Sequence, residues 1–276
     1  MKLGGRKDGV EKLARPQGVI LKSDREIELM RAAGRLVYRV LGRVEALAVP
    51  GVSTGELNAE AERMIREAGA TPLFKGVTNP QAKFPFPGVL CTSVNEELVH
   101  GIPGNRRLAD GDVLSVDCGV RLAGYCGDSA RTMPIGRVSD EAKHLLEVTE
   151  GALNLAIREV RPGRRWSAVA EAMQAYVETE GLHVVRDFVG HGIGRDMHEE
   201  PKVPNYWSRR QGVADFELVP RMVLAVEPMV NVGTHRVMYG DDAGWVVVTR
   251  DHSFAAHYEH TIAVTATGSD VLTDGR

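Results

Sequence analysis

The chain has 276 residues, 43% of them hydrophobic and 26% charged, with a net charge of −3. That balance belongs to a globular protein with a sizeable core, and it gives no overall electrostatic reason to expect specific DNA binding. No stretch approaches the roughly 18 apolar residues of a membrane span, and Cys91, Cys118 and Cys126, without CxxC pairs, read as reduced thiols of a cytoplasmic protein.

The opening stretch MKLGGRKDGVEKLARPQGVILKSD is basic but lacks the apolar core of a secretory signal. Residues 1–22 read as a flexible arm ahead of one domain over residues 23–276. Lys2, Arg6, Lys7, Lys12, Arg15 and Lys22 outweigh Asp8 and Glu11 there. Such an arm suits ribosomal RNA, through phosphate neutralisation, or is simply a solvated tail.

Ser23 with Glu26 three residues on has the spacing of a capping box. Ile27, Met30, Val37, Leu41 and Val44 then recur at helical intervals up to Pro50-Gly51. A second helix is expected from about Thr54 to Ala68, ended by Gly69. Ser139-Asp140 opens the same pattern again, with Leu145, Val148, Leu153 and Ile157 apolar and Pro162-Gly163 as the stop. Val169, Met173, Tyr176 and Val177 lie 112 residues after Leu57, Ala61, Met64 and Ile65, and the Pro-Gly stops and terminal glycines share that offset. The chain therefore reads as an internal repeat, with halves at about 23–136 and 137–270.

The repeat continues past the helices. A strand, VLCTSVN, precedes His100-Gly-Ile in the first half; HVVRDFV, read as its counterpart, precedes His191-Gly-Ile in the second. Two apolar strands follow, DVLSVD ending at Asp117 and MVLAVE ending at Glu227. Each half then adds another acid, Asp128 in YCGDSART and Glu259 in HYEHTIAV. Copies related by a pseudo-twofold axis bring equivalent positions together, so four carboxylates and two imidazoles are expected to converge.

Buried acids of like charge cannot all ionise without compensation. Two divalent cations balance four carboxylates, and an oxygen-rich set with an imidazole suits Mn²⁺, Fe²⁺, Co²⁺ or Zn²⁺. Such ions make water nucleophilic near neutral pH, so metal-assisted hydrolysis is the chemistry expected. The phosphate loop, the HExxH helix and the G-x-S-x-G elbow are all missing from the sequence.

At RAAGRLV, PGVSTGEL, SVNEELVHGIPG, GHGIGRDMHEEP, AVEPMV and YEHT the chain closely resembles the bacterial type I methionine aminopeptidases, from about Ser23 to the C-terminus. The resemblance implies an α+β, pita-bread fold: two pseudo-twofold-related αβ halves around a curved antiparallel sheet. It implies metal ligation by Asp117, Asp128, His191, Glu227 and Glu259, with Glu227 also the general base. It further implies that His198 stabilises the developing oxyanion and that His100 faces substrate. Phe86, Cys91, Met197 and Trp245 fall at the family's methionine-pocket positions, with Phe86 where tyrosine is usual and Met197 where phenylalanine is usual. LFKGVTNPQAKFPFPG departs from the family's tyrosine-containing loop. His257, where glutamine is usual, is either a partner of the ligands or a surface residue.

The activity so implied is removal of the initiator methionine from nascent polypeptides, preferably before a small second residue, by a cytoplasmic monomer. A proline-directed relative is disfavoured because only about 22 residues precede the repeat, where such enzymes carry an added domain. A pita-bread binding module without catalysis is expected to have lost ligands, and all five are retained here.

Overall fold

The computed structural model describes residues 18–208 and 214–276. Four helices carry the repeat's apolar stripes: α1 (Asp24–Leu47), α2 (Thr54–Glu67), α3 (Asp140–Glu159) and α4 (Trp166–Thr179). The first half contributes β1 (Thr71–Pro72), β2 (Cys91–Val94), β3 (Glu97–Val99), β4 (Val113–Leu122) and β5 (Tyr125–Pro134). After α4 come β6 (His183–Val184), β7 (Gly190–Gly192), β8 (Glu199–Val203), β9 (Val223–Val226) and β10 (Met229–Asn231). The chain ends with β11 (Val237–Tyr239), β12 (Val247–Thr249), β13 (Ala255–His257), β14 (His260–Val264) and β15 (Ser269–Val271).

Helix starts follow local chemistry. Ser23 and Ser53 each accept from a backbone N–H three residues on, while Glu26 and Glu56 reach back to the serine N–H, so α1 and α2 both begin in capping boxes. Helix α4 begins at Arg165, which caps nothing. Its orphan donor is met from afar: Ser167 N–H donates to Asp215 at 2.9 Å, and the Arg165 guanidinium pairs with the same carboxylate. Each helix pair covers a sheet. Leu36, Val40, Leu57 and Ile65 pack on Val94, Leu114 and Val116; Leu153, Val169 and Met173 pack on Met222, Leu224, Val226 and Ile262. Fully burying one such side chain is worth about 1.5–3 kcal/mol.

In the first half β4 pairs antiparallel with β5 along its length, while β1 and β2 share its other edge. In the second half the order is β15-β14-β9-β7-β8. Hydroxyl groups join the two. Thr261 donates to the Asp128 carbonyl at 2.8 Å and accepts from its N–H, Ser129 donates to the Glu259 carbonyl at 2.6 Å, and Glu259 N–H donates to the Ala130 carbonyl. Thr132 does the same at His257, donating to its carbonyl and accepting from its N–H.

The structure corrects several expectations. Asp117 is not the end of its strand but the middle of β4, because CGVRL continues pairing with β5 into a tight hairpin at Ala123-Gly124, both at positive φ. Strand β9 stops one residue before Glu227. HVVRDFV forms a strand only at His183–Val184; exposed Arg186 and Asp187, side by side, break the alternation a strand needs. Within the expected arm, residues 18–22 belong to the body: Val19 and Leu21 pack on the second-half core, and buried Lys22 pairs with Glu199 at 2.6 Å. Residues 1–17 of the arm lie outside the described residues.

Candidate active site

Strand register brings the first two acids together. Asp117 lies opposite Ala130 and Gly119 opposite Asp128, so the two aspartates are diagonal neighbours on one face of the β4–β5 pair. A Cβ on Gly119 would come within 3.0 Å of Asp128 Oδ1; the bare glycine leaves that carboxylate room to lie over β4.

His191 is the central residue of β7, held between two glycines. A Cβ at Gly190 would lie 2.3 Å from the Ala225 carbonyl oxygen, and one at Gly192 would lie 2.2 Å from that of Glu200. No side chain fits either place, so β7 is clamped between β8 and β9 with the imidazole aimed at the acids. Its Nδ1 sits 2.9 Å from the Gly192 carbonyl. A carbonyl only accepts, so Nδ1 carries the proton and Nε2 keeps its lone pair, the form that binds metal.

Glu227, just past β9, and Glu259, just before β14, complete the set. His191 Nε2 is 3.6 Å from one Glu227 oxygen, and His257 Nε2 is 3.7 Å from the other. Asp128, His191 and Glu259 each offer a ligand atom within 4.8 Å of the other two, a grouping able to hold a cation. Asp117 Oδ1, Asp128 Oδ1, Glu259 Oε1 and His257 Nε2 are buried without a hydrogen-bond partner. Buried polar atoms are rarely left so, and carboxylate oxygens beside an imidazole lone pair form a donor set fitted to divalent ions of the Mn²⁺–Zn²⁺ series.

The electrostatics agree. Burial raises all four acids, Asp128 to about 7 and Asp117, Glu227 and Glu259 well above the usual carboxylate range; the charge of Asp128 raises the other three again. Burial pushes the imidazoles the other way, His191 and His100 to about 4 with help from His198, and His257 to about 3 with help from His100. His198, also lowered by burial, stands edge-on to His191 with ring centroids 4.4 Å apart. At neutral pH these are uncharged rings, each carrying one N–H, which in His191 is already given to the Gly192 carbonyl.

A cavity of about 300 Å³ opens on this cluster. All of the expected site residues line it: Asp117, Asp128, His191, Glu227 and Glu259; His100 and His198; Phe86, Cys91, Met197 and Trp245. Phe86 meets Trp245 edge-on at 5.2 Å, and the Trp245 indole N–H donates to the Phe84 carbonyl at 2.8 Å. His100 adopts a positive φ of 61° just after β3, with its ring edge-on to Phe188. His257 is 3% exposed and lines the cavity, which removes the surface reading for it.

Phe74, Val77, Val99, Phe188, Val189 and Met229 also line the cavity and were not singled out in the sequence. Val99 and Met229 had a usable signal, being one residue before His100 and two after Glu227. Phe74, Val77 and Phe188 come from irregular segments with no periodicity to mark them.

Metal-ligand chemistry facing an apolar cavity defines a metal-dependent hydrolase, and the comparisons agree. The sequence matches the profile of metallopeptidase family M24 over residues 28–266. It is 50% identical to methionine aminopeptidase 1 of Bacillus subtilis, over 92% of this chain and 99% of that one. It is 45% identical to the methionine aminopeptidase of Clostridium perfringens, over 92% and 98%. The crystal structure of methionine aminopeptidase from Rickettsia prowazekii superposes with a TM-score of 0.86 at 36% identity, covering 92% of this chain and 99% of that one. The chain belongs to metallopeptidase family M24, and within it to the methionine aminopeptidases. Its fold is the pita-bread fold of that family.

Proposed function

We propose that this protein removes N-terminal methionine from polypeptides, nascent chains above all, by metal-dependent hydrolysis. The observation that carries the reading is a single cavity whose apolar wall, with Phe86, Cys91, Met197 and Trp245, meets a histidine and four carboxylates, Asp128 and Glu259 buried and Asp117 and Glu227 nearly so. An unbranched thioether suits such a soft wall.

Asp117, Asp128, His191, Glu227 and Glu259 would hold two divalent ions, drawn from Co²⁺, Mn²⁺, Fe²⁺ and Zn²⁺. When bound, the ions acidify water and polarise a carbonyl. Glu227, flanked by His191 and His257, accepts the proton of the attacking water as general base. Uncharged His198 gives its N–H to the oxygen on which negative charge develops, and His100, also facing the cavity, orients the substrate. A small second residue is preferred because bulk beside the scissile bond meets these walls.

The protein acts as a cytoplasmic monomer. Among the described residues, no helix is long and apolar enough to cross a membrane. The basic residues of the arm contact ribosomal RNA; unchanged ribosome co-sedimentation after deletion of residues 1–17 would dismiss that contact.

The deciding experiment is hydrolysis of Met-Ala-Ser, Met-Leu-Ser and Leu-Ala-Ser by metal-stripped protein, with each ion restored in turn. Turnover of Met-Ala-Ser alone, and only with metal, is expected. Equal turnover of Met-Ala-Ser and Leu-Ala-Ser removes the methionine assignment, equal turnover of Met-Leu-Ser removes the small-residue preference, and activity surviving complete chelation removes the metal.

A further inference from the structure

The cavity's apolar wall does not stop at its mouth. Loop residues 74–88 are tied to the β11–β12 hairpin: Lys83 N–H donates to the Ala243 carbonyl at 2.9 Å, and Trp245 donates to the Phe84 carbonyl at 2.8 Å. Gly244 permits the contact, since a Cβ there would lie 2.4 Å from the Gln81 carbonyl oxygen. Together they form one rim, and three large apolar side chains stand exposed on it: Val77 at 38%, Phe84 at 44% and Tyr239 at 48%. Large apolar side chains exposed together on linked segments, in place of single scattered ones, are the kind of surface that takes part in binding.

Register connects Tyr239 to the cavity. Tyr239 lies opposite Val247, and Val247 lies opposite Val99, which lines the cavity. Directly opposed residues share a face of the sheet, so Tyr239 stands at the outer end of the face that carries Val99, with buried Val247 between them. Met238, equally exposed at 45%, points to the other face. Two strand spacings put Tyr239 roughly 10 Å from Val99, the length of about three extended residues.

We infer that this rim receives apolar side chains at the fourth and fifth positions of the polypeptide being trimmed. The inference rests on the proposed aminopeptidase activity, because continuity with the substrate cavity is what selects the occupant. Chains with apolar residues there are held more tightly, while the chemistry at the first peptide bond is unaltered.

The test compares Met-Ala-Ser, Met-Ala-Ser-Leu-Phe and Met-Ala-Ser-Ser-Ser as substrates of the metal-loaded full chain. The apolar extension is expected to lower KM about ten-fold relative to the polar one, the equivalent of about 1.4 kcal/mol, with kcat unchanged. Tyr239→Ser and Phe84→Ser should each erase most of that difference while turning over Met-Ala-Ser normally, and Met238→Ser should preserve it. Equal KM values for the two extensions overturn the inference, as does an equal loss in Met238→Ser. A dimer of the native chain that Tyr239→Ser dissolves would make the rim a contact between copies, overturning it too. No turnover of Met-Ala-Ser by the native protein would instead sink the aminopeptidase reading, and this inference with it.

Discussion

Glu227 has an imidazole on either side, His191 at 3.6 Å and His257 at 3.7 Å, and both rings are uncharged at neutral pH. A carboxylate so placed can hold a cation and also take a proton from water. Glu227→Gln keeps the shape and removes both abilities, so kcat should fall on the order of 10²–10⁴ for the base role alone. Steady-state kinetics at saturating Mn²⁺ check this, and near-native kcat would exclude Glu227 as the base. The glycines beside His191 offer a separate probe that leaves every ligand in place. Gly192→Ala puts a methyl 2.2 Å from the Glu200 carbonyl oxygen and within 3.0 Å of that of Glu199, both backbone atoms. Strand β7 must move, and the imidazole with it. Stability should fall by about 1–3 kcal/mol, with weakened metal uptake measured by equilibrium dialysis. Gly119→Ala meets only side-chain atoms, at 3.0–3.1 Å, and should be milder on stability. Equal effects of the two substitutions would show that β7 is not clamped as described.

The helices differ in where their starting instructions lie. Helices α1 and α2 carry Ser-x-x-Glu beside their own first turns, which made the first box legible from Ser23 and Glu26 and left the second, equally local, unremarked. Helix α4 is started by Asp215, 48 residues beyond Ser167, and no local pattern announces it. Ser53→Ala should cost about 1 kcal/mol. Asp215→Ala should cost about as much or more, since it also strands Arg165 and the Ser167 hydroxyl, which donates to the same carboxylate at 2.8 Å. Urea unfolding measures both, and a neutral Asp215→Ala would mean α4 is held by its apolar face alone. The same division explains what was readable in strands and site. Helical stripes, Pro-Gly stops and the acids on apolar strands are local, and they sufficed for the four helices and for every acid in the cavity. The persistence of β4 beyond Asp117 and the arrival of Phe74 and Phe188 at the cavity depend on partners distant in sequence. Nothing in the neighbouring residues encodes them.

Taken whole, the molecule keeps proton-binding groups whose affinities are shifted in opposite directions, and pH separates them. His100, His191 and His260 titrate near 4 in the fold and His257 near 3, below the roughly 6.5 of an unfolded histidine. They therefore add stability as pH rises from about 4 to 6.5 and nothing further above that. The carboxylates are shifted upward, Asp128 to about 7 and the other three beyond the usual range. The metal-free fold binds protons there that the unfolded chain has released, so its stability falls as pH climbs through these values. Above pH 6.5 these histidines add nothing further, while the raised acids, and at the alkaline end the thiols of Cys91 and Cys118 pushed up by burial, all work in the falling direction. The Tm of metal-stripped protein should drop between pH 6.5 and 8.5, and Mn²⁺ should raise Tm more at the upper end than at the lower. Differential scanning calorimetry reads both, and a metal-free Tm that rises over this interval contradicts the burial of the acids.

The hydroxyls of Ser129, Thr132 and Thr261 grip main-chain atoms of Asp128, Glu259 and His257. They touch no carboxylate directly, yet they set the gauge between the acids given by one half of the chain and those given by the other. Exchanging one uncharged residue on this stitched line would therefore shift the acids of one half against those of the other while all four acidic side chains stay as they were.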